Sequence, residues 1–263
     1  YKTAVINSVV LKFKDTANFH NATICAAKSL STERIVDYNK KMIDLGIASA
    51  YNYESLYNAY ISKGDTVSAL DMLRKGRNAL PNEGALMNLE TNYYLSCGKQ
   101  SEALKNLNAS LEKDPKNALL YLVTGNIYDN MANPKDKITG RDLSKPDNFD
   151  VLFKNAETNY LKAIEFSGTN KEVAYNANYN TGAMYNNYGN YLQNRRGNTI
   201  TEQVKLQKES EKLSKEWYNK AIPYLEKALD IKPDDKPTMV ALRKLYLLTG
   251  QEAKAKMLND KLK

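Results

Sequence analysis

Between residues 50 and 117 the apolar positions fall at helical spacing, in blocks separated by short polar breaks. Tyr53, Leu56, Tyr57 and Tyr60 stand at i, i+3, i+4 and i+7, one face of a helix predicted over about 51–62. The break Lys63-Gly64-Asp65 follows: Gly64 tolerates a positive φ just past a helix end, and Asp65 can cap what comes next. A second helix predicted over about 66–79 carries Val67, Leu70 and Leu73, with Ala69 small enough to let its partner approach. Pro81, lacking an amide proton, ends it. The break is therefore the turn of an antiparallel helix pair.

The pair is then copied. Tyr60, Tyr94 and Tyr128 are successive steps of 34 residues, and so are Asn58, Asn92 and Asn126. At the same shift Gly64 meets Gly98, Ala69 meets Ala103, Leu73 meets Leu107 and Pro81 meets Pro115. Coincidences at one fixed period are the signature of a repeat array. The segments "YNYESLYNAYISKGDTVSALDMLRKGRNALP" and "LMNLETNYYLSCGKQSEALKNLNASLEKDP" resemble the tetratricopeptide (TPR) repeat, as does "EWYNKAIPYLEKALDIKPDD", read as the second helix of a later unit. The resemblance covers roughly 16–263. It implies an all-α, right-handed superhelical solenoid of about six helix-turn-helix units, after an N-terminal flank at 1–15.

By phase the units fall at about 16–49, 50–83, 84–117, 118–170, 171–235 and 236–263. The first is degenerate, with Leu30 at the turn-glycine position and Ile35 at the small one. In the fourth, Tyr121, Gly125 and Tyr128 open the unit, but Ala156, Tyr160 and Ala163 resume it late: Ala132 to Ala156 spans 24 positions where 5 would serve, an insertion of 19. In the fifth, taking Gly189 as the turn, Gly189 to Ala221 spans 32 against 5, an insertion of 27. Residues 133–148, with Pro, Gly and mixed charge, read as a loop. Residues 194–216 read as a turn and then a helix running on through Trp217, with Val204, Leu213 and Trp217 along one apolar edge. Pro223 either kinks that helix or opens a fresh one after Asn219. The last unit, with Leu242, Tyr246, Gly250 and Ala255, ends in a Lys-rich helix suited to closing a stack against water.

Charge changes the picture little. The chain of 263 residues carries a net +8, but Lys2, Lys12 and Lys14 account for +3 of it. Arg243, Lys244, Lys254, Lys256, Lys261 and Lys263, against Glu252 and Asp260, account for +4. Residues 15–238 keep only +1, which speaks against a continuous basic groove for nucleic acid. Cys25 and Cys97 lie 72 positions apart, neither a disulfide framework nor a zinc signature, and read as small buried side chains. No apolar run is long enough to span a bilayer. Residue 1 is Tyr rather than Met, the expectation for a processed or truncated chain. The stretch "AIPYLEKALDIKPDD" and the long insertion before it are also similar to TPR proteins of bacterial envelopes, which implies an envelope or periplasmic location if a signal preceded Tyr1.

Candidate chemistry is sparse. His20 is the only histidine, so every catalytic triad or multi-histidine metal site would have to use it. No phosphate loop, dinucleotide fingerprint or nucleophile elbow occurs. The acidic residues alternate with Lys at helical spacing, as in "ESEKLSKE", the pattern of a solvated face. The expectation is a protein that is not an enzyme and needs no cofactor or metal. The TPR resemblance implies instead a concave groove lined by first helices, holding a protein or peptide segment. It places there an amide ladder of Asn58, Asn92 and Asn126, with Tyr51, Glu54, Asn88, Leu95, Leu122, Asp129, Tyr179, Asn186 and Asn187 nearby. An amide side chain offers a donor and an acceptor together, matching a peptide backbone. The cations of TPR modules that clamp a C-terminal carboxylate are missing: Glu54 and Asn88, then Ala85, Leu89, Leu119 and Val123, stand in their places. An alternative is that the edge insertions and basic termini dock an acidic protein, an anionic surface or nucleic acid.

Overall fold

The computed structural model describes residues 32–262, apart from 82, 137 and 195–199, and without the side chains of Thr32, Arg34 and 200–206. His20, Cys25, Leu30, Lys263, the flank 1–15 and the Val204 side chain lie outside the described residues. Eleven α-helices and no strand occur among the described residues. They fall into two units divided between Lys113 and Asp114.

The first unit contains α1 (Thr32–Asp44), α2 (Ala50–Ser62), α3 (Thr66–Ala79), α4 (Gly84–Ser96) and α5 (Gln100–Lys113). The turns are built as the sequence predicts. Gly64 and Gly98 have φ of 76° and 69°, and the Asp65 carboxylate accepts from Ser68 N at 3.0 Å. Leu56, Ala69, Leu86 and Ala103 are fully buried. Tyr57, Ala69 and Leu73 form one core cluster and Val36, Leu56, Ala59 and Met72 another, with half-buried Tyr60 packed against both. Val67 departs from expectation: it is 82% exposed. Met72 and Gly76 complete the seam instead, and a Cβ on Gly76 would come within 2.9 Å of Tyr53. A buried amide chain ties α1 to α2: Asn52 Nδ2 donates to Asn39 Oδ1 at 2.8 Å, and Asn39 Nδ2 to Ile35 O at 2.8 Å. Arg77 joins α3 to Glu90 of α4 at 3.0 Å.

The second unit contains α6 (Ala118–Ala132), α7 (Phe149–Phe166), α8 (Lys171–Gln193), α9 (Ile200–Ile231), α10 (Lys236–Leu248) and α11 (Glu252–Lys261). Asn117, Asn170 and Asp235 cap α6, α8 and α10 by accepting from the backbone three residues on. Residues 133–148 form a loop, as expected, pinned by Leu143 N donating to Pro134 O at 2.9 Å and by a turn at Gly140 with φ 68°. Gly189 is not a turn residue: it lies inside α8, buried. Both α8 and α9 are therefore lengthened, and Pro223 lies within α9 rather than at a helix start.

Glycine buried within a helix marks where its partner comes closest. A Cβ on Gly125 would lie 2.6 Å from the Tyr160 ring, and one on Gly189 would lie 2.5 Å from the Tyr218 ring. On Gly182 it would meet Leu225 at 2.6 Å. Gly182 and Gly189 are seven residues apart on α8, and Leu225 and Tyr218 seven apart on α9 in the opposite sense. The long hairpin thus repeats its small-under-large contact every two turns. The rings cannot move into solvent, because Tyr160 and Tyr218 are each 1% exposed. Gly125→Ala and Gly189→Ala are each expected to lower stability by about 1–3 kcal/mol through overpacking. Gly84→Ala, with nothing within 4 Å of the added carbon, should stay within about 1 kcal/mol of the parent. Urea denaturation of the three variants side by side checks the contrast.

Candidate functional site

In the first unit, α2 carries three of the expected groove residues. Tyr51, Glu54 and Asn58, with Ile35, Ser55, Ala59 and Ser62, line an open concavity of about 440 Å³ between α1 and α2. Their spacing is the cause: residues 51, 54, 55, 58 and 62 share one helix face opposite the buried Tyr53, Leu56 and Tyr57. Asn58 is exposed, as are Asn88 and Asn92 on α4, and Leu95 is half-buried. Cys97 differs from expectation. It is exposed just past α4, because the helix end at the Gly98 turn faces outward.

In the second unit the expected residues divide. Leu122 is 5% exposed and packs in the core, so it offers no surface. Asn126, the third rung of the expected ladder, is engaged within the fold. Its Oδ1 accepts from Asn180 Nδ2 of α8 at 2.8 Å and from Tyr160 OH of α7 at 3.0 Å. Tyr160 OH also lies 3.3 Å from Asp129 Oδ2. Asn133 Nδ2 donates to Asp129 Oδ1 at 2.7 Å, and Lys145 Nζ donates to Asn133 Oδ1. One polar network therefore runs from α8 through α6 and α7 to the loop. Tyr179 is half-buried and stacked on Tyr175, Asn187 is exposed, and Asn186 is half-buried with its Oδ1 lacking a hydrogen-bond partner.

Burial sets the electrostatics of this network. Desolvation pushes the Asp129 carboxyl up, against the lowering effects of Asn133, Tyr160 and Lys145. It pushes the Tyr160 hydroxyl far up, Asp129 adding to the effect. Lys145 is moved down by desolvation, with Asp142 and Asp129 acting the other way. The Lys145 ammonium sits 4.8 Å from the centre of the Phe149 ring and 5.4 Å from that of Tyr191, an aromatic seat for a half-buried cation.

Sequence reasoning missed the aromatic cluster that joins α7, α8 and α9. Phe149 stacks on Tyr188 at 5.7 Å, and Trp217 meets Tyr188 edge-on at 4.6 Å and Phe153 at 5.5 Å. The signal was present as Phe149 and Phe153 at i, i+4 and Tyr185, Tyr188 and Tyr191 at i, i+3 and i+6. It lay across the insertions, where the repeat gives no register.

No protein-family model matches the chain. No curated protein matches it in sequence. Its fold is nonetheless recognisable as all-α and TPR-like, built of paired helices. The MamA protein matches with a TM-score of 0.50 at 19% identity, over 81% of this chain and 89% of that one. PilF of Pseudomonas aeruginosa matches with a TM-score of 0.50 at 15% identity, over 81% of this chain and 74% of that one. YrrB, a TPR protein with an unusual peptide-binding site, reaches 0.49 at 18% identity, over 90% and 96%.

The raised Asp129 carboxyl makes a signed prediction. A folded-state pKa above the unfolded one means the native chain holds the extra proton, so this group's contribution to stability falls as pH rises through that window. Asp129→Asn keeps an acceptor for Asn133 and removes the titration. The variant is expected to be at least as stable as the parent at neutral pH, with the advantage shrinking on acidification toward about pH 4. Melting temperatures of both chains across that range check the sign.

Proposed function

We propose that the chain is a non-catalytic scaffold that holds an extended or helical segment of another protein against the first-helix surfaces of its hairpins. The observation that supports this is the concavity on α2, where Tyr51, Glu54 and Asn58 come together at the positions the repeat assigns to ligand contact. Asn92 repeats the Asn58 position on α4, and both are exposed. Exposed amides can pair with a backbone N–H and C=O at once. We leave Asn126 out of the proposed binding set, because its carbonyl oxygen already accepts from Tyr160 and Asn180.

The reading in which the basic C-terminal region docks an acidic surface has less support. Arg243 donates to Asn259 at 2.9 Å, Lys254 to Glu226 at 2.8 Å and Lys244 to Asn190 at 3.4 Å. Three of its cations are thus already engaged, one within its own hairpin and two with the preceding one.

Peptides selected for binding to the full chain from a displayed library provide the probe. Asn58→Ala/Asn92→Ala is expected to bind the selected peptide about tenfold more weakly, the loss of two hydrogen bonds of about 0.5–1.5 kcal/mol each. Its circular dichroism and melting temperature should match the parent, since both side chains are exposed. Equal affinity in the two proteins removes the groove reading.

A further inference from the structure

The second unit holds a cleft of about 440 Å³ between the loop at 133–145 and the last two turns of α8. That is within the size range of small-molecule sites. Of its lining residues only Asn187 belongs to the groove expectation, and the loop side has no role in it. Lys135, Asp142 and Lys145 stand on the loop side, and Asn187, Asn190, Tyr191 and Asn194 on the helix side.

Three cations border it: Lys135 and Lys145 on the loop, and Lys244 of α10, whose Nζ lies 3.4 Å from Asn190 Oδ1. Lys145 donates to Asn133, whose amide nitrogen donates in turn to Asp129, and the ammonium is seated over Phe149 and Tyr191. Lys135 faces Asp142 at 3.9 Å. Asn133 and Asn194 are the residues that follow α6 and α8, so two helix carbonyl ends of about −0.5 charge each meet the lysines here. These contributions offset one another, so the cleft selects strongly for neither an anion nor a cation.

What remains is neutral hydrogen bonding beside a ring. Asn187, Asn190 and Tyr191 fall at i, i+3 and i+4 on one face of α8, and Asn194, just past its end, continues the line at i+7. Asn190 Oδ1 lies 3.0 Å from Tyr218 OH, whose shorter contact is with Gln193 Oε1 at 2.8 Å, and 3.4 Å from Lys244 Nζ, so that oxygen is engaged and the amide nitrogen is left to donate. The amides of Asn187 and Asn194 are exposed, and the Tyr191 ring is 43% exposed. Neighbouring hydroxyls on a sugar ring present a donor and an acceptor side by side, the complement of a planar amide. The C–H face of such a ring can pack on the part of the Tyr191 ring that Lys145 leaves exposed. The helix offers its polar groups about every 5.4 Å, whereas alternate residues of an extended peptide recur at about 6.8 Å. A strand would therefore lose step along this wall, while a compact polyhydroxyl ligand would not.

We propose that this cleft is a binding site for a short neutral saccharide, separate from the protein-binding surface on α2. The full chain is titrated by calorimetry and saturation-transfer NMR with maltotriose, cellotriose, mannotriose and N-acetylchitotriose, and with glucuronate and a capped tetra-alanine peptide for comparison. At least one trisaccharide should bind with a Kd of about 1 mM or tighter. Asn187→Ala/Asn194→Ala should weaken it at least tenfold, about 1.4 kcal/mol, with an unchanged melting temperature. Asn58→Ala/Asn92→Ala should bind the sugar as the parent does, so the two sites are tested independently. The proposal is overturned if no trisaccharide binds. It is equally overturned if only glucuronate or the peptide binds, or if sugar binding is indifferent to the loss of Asn187 and Asn194.

Discussion

The distance between the two helices of each hairpin is the constraint on which the structure depends. Helix axes pack 8–10 Å apart, according to the side chains at the contact. Here the contact is made by a residue with little or no side chain under a large one: Gly76 under Tyr53, Gly125 under Tyr160, Gly182 under Leu225 and Gly189 under Tyr218. Two large residues face to face would separate the helices and open voids along the rest of the seam. Two small ones would leave a cavity, at about 24 cal/mol per Å³. The alternation brings both backbones into range of every other seam residue, so Ala69, Ala103, Ala156 and Ala221 are wholly buried in the same way.

That constraint also explains how the two long helices of the second unit stay in register. Lengthening α8 and α9 together keeps their register so long as the small-under-large pairing recurs at seven residues, and it does, from Gly182–Leu225 to Gly189–Tyr218. The long hairpin then carries Tyr188, Tyr191 and Trp217 out to meet Phe149 and Phe153 in the first turns of α7. Ring pairs of this kind each contribute about 0.5–1.5 kcal/mol beyond the area they bury. The loop is thereby held by aromatic packing and by the Lys145–Asn133–Asp129 chain rather than by repeat contacts.

The uninterrupted units were legible almost residue by residue. Helices predicted over 51–62 and 66–79 occur at Ala50–Ser62 and Thr66–Ala79, with Gly64 and Asp65 in the roles assigned them. Local chemistry decides those features: a positive φ, a cap and an amphipathic face. Gly189 was misread because a glycine followed by polar residues signals a turn only where nothing packs on it, and Tyr218, 29 positions away, packs on it here. Val67 was misread for a related reason, since it stands in the first turn of α3 beyond the reach of α2. The face of α2 was readable from periodicity, because its opposite face is core. The cleft beside α8 was not, since it is formed by a loop whose path no period encodes.

The three asparagines at one repeat position show how far the period itself carries. Asn58 and Asn92 are exposed, whereas Asn126 is half-buried and bonded to two neighbouring helices. The difference arises in their partners rather than in the asparagines. In the α6–α7 hairpin Tyr160, seated on Gly125, reaches across with its hydroxyl, and Asn180 of α8 meets the same oxygen. In the α2–α3 hairpin the residue equivalent to Gly125 is Tyr57, whose ring fills that space from the first helix, and its partner position holds Leu73, which has no hydroxyl to offer. A polar side chain at a repeat position is released to the surface when the hairpin beneath it is filled by carbon. It is drawn inward when the hairpin supplies a buried hydroxyl that must be paired. Repeat position alone therefore does not make a ligand-binding residue; the residue packed beneath it decides.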